Sequence, residues 1–203
     1  MLLALVGAVS LVLTGADEIK KAASEKNAEK YSAYEEFIAP VIMNDPDTFD
    51  DVTVADPGQL VSIAIWSILG SNPEPDKYEY TDDGMLLPAK EVSEKFASLF
   101  GDQVKITHTG VDGGGIDFEY SEKKKAYLIP ITGITPIYTP KVTDAKEKSG
   151  SIELTVGYLY SGDWQQDSQG NMISPEPGKY MRITLGINSD GGYFVRAIQK
   201  ISD

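Results

Sequence analysis

Apolar positions change their spacing twice along this chain, dividing it into three regions. The first, Leu2 to Gly15, is apolar almost throughout. It is shorter than the roughly 20 residues of a membrane-spanning helix and fits the apolar stretch of a signal peptide. No Lys or Arg precedes it, although a signal peptide normally begins with positive charge. A second reading therefore stays open, the outer half of a membrane anchor that starts upstream of Met1. A third makes it a buried core helix of a cytosolic protein. Residues 1–16 are read as a signal peptide or part of an anchor, which places the rest outside the cytoplasm, secreted or tethered to the cell membrane.

From Asp17 to Lys30 the chain is helix-prone and rich in alternating charge, the pattern of a solvated helical stalk. Residues 31–203 are read as one domain. Tyr31, Tyr34, Ile38 and Val41 or Ile42 then recur at helical spacing, and Pro40 should kink or end that helix. An acidic loop, Asn44 to Asp51, follows. Asp56-Pro57-Gly58-Gln59 combines an N-cap, a first-position proline and a glutamine three residues after the cap, so it predicts a helix start. That helix runs from Leu60 to Leu69 with apolar residues on nearly every side and belongs at the centre of the fold, Gly70 being its expected cap. Trp66 is expected in its core-facing set. A turn-rich stretch leads to a third helix between Pro88 and Gly101, with Val92, Phe96 and Leu99 inside.

Beyond Gly101 the spacing becomes alternating and stays so. Short strands are predicted at Gln103–His108, Ile116–Tyr120 and Ala126–Ile131, and long ones at Ser151–Tyr160, Lys179–Asn188 and Tyr193–Ile201. Ser189-Asp190-Gly191-Gly192 reads as the last hairpin. Helices first and antiparallel strands after predict an α+β fold, N-terminal helices packed against a curved antiparallel sheet. This element order resembles the cystatin-like and NTF2-like folds. The resemblance covers about Tyr31 to Asp203, and it implies a cone-shaped pocket between helices and sheet. It does not choose among enzymes, inhibitors and assembly modules.

Composition narrows the function classes. Cysteine is absent, which removes disulfides, thiol nucleophiles, thiolate metal sites and a lipidated cysteine. With 18 basic and 31 acidic residues the formal charge is −13, which repels nucleic acid and anionic lipid, so membrane contact is expected only through the N-terminal segment.

Candidate chemistry is sparse. His108 is the single histidine and shares a face with Val104 and Ile106; a structural, hydrogen-bonded role competes with that of a general base. Asp117 and Glu119 fall on the face opposite Phe118 and read as solvated. Glu153, Arg182 and Arg196 alternate with apolar neighbours, either as ion pairs on the outer sheet face or as ligand contacts on the inner one, with Tyr158, Tyr160, Tyr180 and Tyr193 nearby. Gln165–Glu176 partly matches a calcium-binding EF-hand loop, with Asp167, Gln169 and Glu176 as ligands. Gln165 in place of the leading Asp and prolines at 175 and 177 favour an ordinary hairpin loop, so no cofactor is assigned. The aspartates at 45, 47, 50 and 51 offer a second oxygen-rich loop, again with a solvated reading preferred. Gly113-Gly114-Gly115 precedes a strand and reads as a turn, and Lys123 to Lys125 as a solvated hairpin tip. Between Ile129 and Pro140, the prolines at 130, 136 and 140 with Tyr138 imply a sheet edge that either guards against pairing or meets a partner chain.

Together these readings lead to an extracytoplasmic binding or interaction domain, using the concave sheet face or the proline-rich edge. The alternative is a pocket enzyme or small-ligand carrier that uses His108 or a buried carboxylate. A spacer or assembly role is the third option.

Overall fold

The computed structural model describes residues 25–71, 75–131, 133 and 136–201. The apolar segment expected to be a signal peptide or anchor, and residues 17–24 of the expected stalk, lie outside them. Helix α1 occupies residues 25–42; its first turns are exposed, whereas Tyr34, Ile38, Val41 and Ile42 are buried. Residues 25–30 of the expected stalk and the first buried residues of the domain therefore share one helix. Pro40 sits in the last turn, where its missing N–H withholds the helical hydrogen bond from the Glu36 carbonyl and favours an end to the helix. The helix ends two residues later, and Asp45, at φ 53°, bonds back to Ile42 O at 3.0 Å.

Helix α2 (Pro57–Gly70) starts where its cap requires, with Asp56 accepting from Gln59 N at 2.7 Å. Its C-cap is Ser71, one residue past the expected glycine, and Ser71 also donates its hydroxyl to Ile68 O at 2.6 Å. Helix α3 (Ala89–Phe100) lies between Pro88 and Gly101, whose φ of 73° suits a residue without Cβ. It packs on α2.

The strands form two main antiparallel sheets. The short sheet has the order β1 (Glu79–Thr81), β2 (Gly84–Pro88), β5 (Ala126–Ile129), β4 (Asp117–Ser121), β3 (Val111–Asp112). The long sheet runs β11 (Tyr193–Lys200), β10 (Lys179–Ile187), β7 (Ser151–Tyr160), β6 (Tyr138–Lys148). A two-stranded ribbon, β8 (Gln165–Gln166) with β9 (Met172–Ile173), closes the loop between β7 and β10. The class is α+β. The strands do not make one wrap; they divide at the proline-rich segment between β5 and β6, where Pro130 and Pro136 cannot donate to a ladder.

Two sequence expectations need correction here. Residues 103–108 form no strand, although their burial alternates as expected, with Val104, Ile106 and His108 on the more buried side. The stretch before Pro88, expected as turns, contains the β1–β2 hairpin. Gly84 there is fixed by contact as well as by φ, since a Cβ would meet Ile129 O at 2.3 Å.

Two bulges shape the long sheet. Register shifts at Thr184/Leu185 and Val142/Asp144 leave Arg196 and Thr143 as the extra residues. The first turns Arg196 outward. Beside the second, Val142 N donates to Glu35 of α1 at 2.8 Å, which ties the outermost strand to the helix.

One contiguous apolar core joins all three helices to both sheets, with Ile38, Leu60, Val92, Leu87, Leu154 and Ile183 among its members. Leu154, Val156, Ile183, Leu185 and Val195 show no exposed surface, so no water-sized space adjoins them. The inner face of the long sheet is packed.

Candidate functional site

One cleft, of about 840 Å³, lies between residues 45–48 and the start of β10, and two others lie at the two ends of α2. At its C-terminal end, α1, α2, α3 and the approach to β6 enclose a cleft of about 730 Å³. Phe37, Met43, Leu69, Leu99, Pro136 and Tyr138 give it an apolar lining, with Glu36, Lys95 and Ser98 among its polar residues. Two hydroxyls in its wall lack partners. Thr139 Oγ1 is buried without a hydrogen bond, and Ser67, 8% exposed, makes no side-chain hydrogen bond among the described residues. A buried hydroxyl left unpaired costs about 1–3 kcal/mol; Thr139 Oγ1 bears that cost sealed from water, so nothing in the cleft reaches it, and Ser67 is the hydroxyl that the cleft can offer. The proline edge thus contributes two of its four residues, Pro136 and Tyr138, to the cleft. Pro140 lies within β6, opposite Tyr158, and β6 is the outermost strand of its sheet. Pro130 follows β5, half-buried.

His108 lies apart from this cleft. Its Nε2 is 2.9 Å from Ser93 Oγ and its Nδ1 is 3.0 Å from the Tyr127 hydroxyl, while its ring stacks on Tyr120 at 5.4 Å. Burial pushes its pKa down, opposed by Glu122 and aided by Lys125. Burial also raises the Tyr127 hydroxyl to about 12. Proton counting orders this network. Ser93 Oγ is 3.0 Å from Ala89 O, and if its one proton goes there, Oγ accepts from His108 Nε2–H and Nδ1 accepts from Tyr127. In that arrangement Ser93 is not activated as a nucleophile.

Glu153 and Arg182 point away from the core on neighbouring strands. Glu153 pairs with Lys148 at 2.9 Å and Arg182 at 3.7 Å, while Arg196 reaches Asp51 at 3.3 Å. Lys148 is the first cause of a lowered Glu153 pKa, and hydrogen bonds from Thr53 of a lowered Asp51 pKa. Tyr158 does not join that outer row. It is fully buried, its hydroxyl has no partner, and burial raises its pKa. Tyr180 is exposed beside Lys179. The Lys179 ammonium sits 4.8 Å from the Tyr158 ring centre and 5.2 Å from that of Tyr138, paired with Asp45.

The loop with calcium-like spacing closes as the β8–β9 ribbon. Asp167 accepts from Gln169 N and Asn171 N, each at 2.8 Å, so its carboxylate holds the turn; Gln169 and Glu176 are exposed. Among the described residues no three His, Asp or Glu side chains cluster closely enough to hold a metal ion.

Sequence reasoning missed Phe37, Ser67, Ser98 and Thr139 in the cleft, and Ser93 and Tyr127 around His108. One signal was available. Ser62 and Ser67 interrupt an otherwise apolar helix, and each lines a cleft. No family model matches this chain, and comparisons with curated proteins and with solved structures give no significant match.

Proposed function

We propose that this chain is an extracytoplasmic binding domain, and that its contact surface is the apolar cleft bounded by the helices and the proline edge. The observation that carries the reading is that cleft's wall: apolar side chains, Phe37, Met43, Leu69 and Leu99, interrupted by Ser67, which makes no side-chain hydrogen bond among the described residues. Such a mixture suits an apolar ligand or protein segment with one or two polar groups along it. The location rests on the Leu2–Gly15 segment; no helix among the described residues is long and apolar enough to cross a membrane. Nucleic acid is outside the proposal because of the acidic charge.

The test uses the neutral fluorescent probe N-phenyl-1-naphthylamine. Saturable binding to the chain, abolished by Ser98→Arg with the fold intact, is the expected result. Equal binding by the variant places the probe elsewhere and contradicts the reading. The alternative, a pocket enzyme on His108, would have to act through the Ser93–His108–Tyr127 network. It requires turnover that disappears in His108→Ala while folding is kept.

A further inference from the structure

The N-terminal end of α2 opens onto a second cleft, of about 500 Å³, bounded by residues 44–47 and by Thr109–Gly114. Asp45, Asp47, Asp56 and Asp112 line it, and no Lys, Arg or His does. Three of these carboxylates have internal partners: Asp56 caps α2, Asp112 accepts from Gly114 N at 2.7 Å, and Asp45 pairs with Lys179. Asp47 makes no side-chain hydrogen bond or ion pair among the described residues. Its backbone is gripped on both sides by the Gln59 amide, through Asp47 N to Oε1 at 2.8 Å and Nε2 to Asp47 O at 3.4 Å. A fixed backbone therefore presents an exposed carboxylate with no direct partner among the described residues, on a rim shared with a neighbouring cleft that Lys179 and Lys200 line.

Acidic residues on an acidic protein are ordinarily just solvated. The second observation comes from inside α2. Ser62 is 8% exposed, lines this cleft, and makes no side-chain hydrogen bond among the described residues. Ser93 in α3, by contrast, bonds back to the carbonyl four residues earlier. The Ser62 hydroxyl keeps its hydrogen-bonding capacity for whatever occupies the cleft. Beside it, Ile63, Trp66 and Val111 supply an apolar wall.

We infer that this cleft binds an aliphatic primary ammonium group, with Asp47 and Ser62 accepting its N–H donors and Ile63, Trp66 and Val111 covering its methylene stem. A compact ammonium with three donors suits separate acceptors; a guanidinium asks for a planar, bidentate partner. A metal ion would need convergent ligands, and no such cluster occurs among the described residues. The helix dipole places about half a positive charge at this end, and the Asp56 cap offsets it. The same loop already holds one ammonium, that of Lys179 on Asp45.

The group can be carried by a free diamine or by a lysine side chain of a partner protein. Calorimetric titration of the full chain at low salt separates these sources, using 1,5-diaminopentane, Nα-acetyl-lysine methylamide and neutral 1-pentanol. Saturable binding of an ammonium probe, with none of pentanol, is expected. Asp47→Asn should weaken it about tenfold, the loss of one charge-assisted hydrogen bond, and Ser62→Ala several-fold by the same reasoning. Asp163→Asn, an equal change in net charge at an exposed residue outside the cleft, should leave it unchanged. Tighter binding of the diamine assigns a free amine; tighter binding of the lysine derivative assigns a protein partner. Absence of saturable ammonium binding, indifference to Asp47→Asn, or equal binding of pentanol overturns the inference. Should Ser62→Ala fail to fold, Asp47→Asn decides alone, because that side chain has no internal hydrogen bond to lose.

Discussion

The two ends of α2 open onto clefts of opposite character. The C-terminal one is lined by Phe37, Leu69, Leu99 and Pro136, the N-terminal one by four aspartates, and Trp66 borders both. Between these ends the helix is buried continuously from Leu60 to Ile68. A helix apolar on nearly every side thus still discriminates between its ends, because its rims come from other segments: α1, α3 and the proline edge at one, the aspartate loop and β3 at the other. Its two serines are five residues apart, about 140° around the axis, and each lines a different cleft. What the helix contributes to binding comes from the exceptions in its pattern.

The comparison presumes a filled interior between two open ends. Leu154→Ala, with no exposed surface on β7, should cost about 2–5 kcal/mol, read as a lower urea midpoint. A loss below about 1 kcal/mol, far under the usual cavity cost, would mean that the inner sheet face is not packed. Next in size, Asp56→Ala should lose about 1 kcal/mol with the helix cap, whereas Asp47→Asn on the same rim should stay within about 0.5 kcal/mol. Equal losses would erase the distinction between a structural carboxylate and a presented one.

A smaller effect belongs to pH. Burial holds His108 below its ordinary pKa, so the unfolded chain binds that proton more readily than the folded one. The contribution to stability is complete above about pH 6.5, the unfolded value, and is lost as pH falls through the lower folded value. Denaturant midpoints should therefore decline below that pH, and His108→Gln should remove this part of the decline. Asp51 and Glu153, held low by Thr53 and Lys148, titrate only in stronger acid. A midpoint with the same pH slope in His108→Gln would detach the effect from this residue. Smallest of all, Ser98→Arg should change stability by less than about 0.5 kcal/mol, as expected for an exposed position, while closing the apolar cleft to its probe. Urea midpoints of the variant and the parent chain check the first half of that expectation.

The elements with strong local signals were legible in sequence. Asp56-Pro57 located α2, Pro88 and Gly101 bracketed α3, and β7, β10 and β11 fall within two residues of their predicted ends. Strand β6 from Lys141 onward was not, because Lys141, Lys146, Glu147 and Lys148 lie exposed on an edge strand and break the apolar alternation. The β1–β2 hairpin escaped because Met85, Leu86 and Leu87 are buried in succession and show no period. Residues 103–108 show the reverse failure: alternation without a ladder, since periodicity reports which face is wet and cannot report whether a neighbouring strand exists. The clefts were least visible. Phe37, Ser67 and Thr139 come from three elements, and only tertiary packing leaves the space between them.

Trp66 is where the account is most exposed to test. With 5-fluorotryptophan incorporated and the second of the chain's two tryptophans removed by Trp164→Phe, Trp66 gives a single ¹⁹F resonance. Adding N-phenyl-1-naphthylamine should shift it saturably, and Ser98→Arg should abolish the shift. A resonance that stays put while the probe binds, or one that moves identically in Ser98→Arg, would contradict an apolar binding cleft at the C-terminal end of α2.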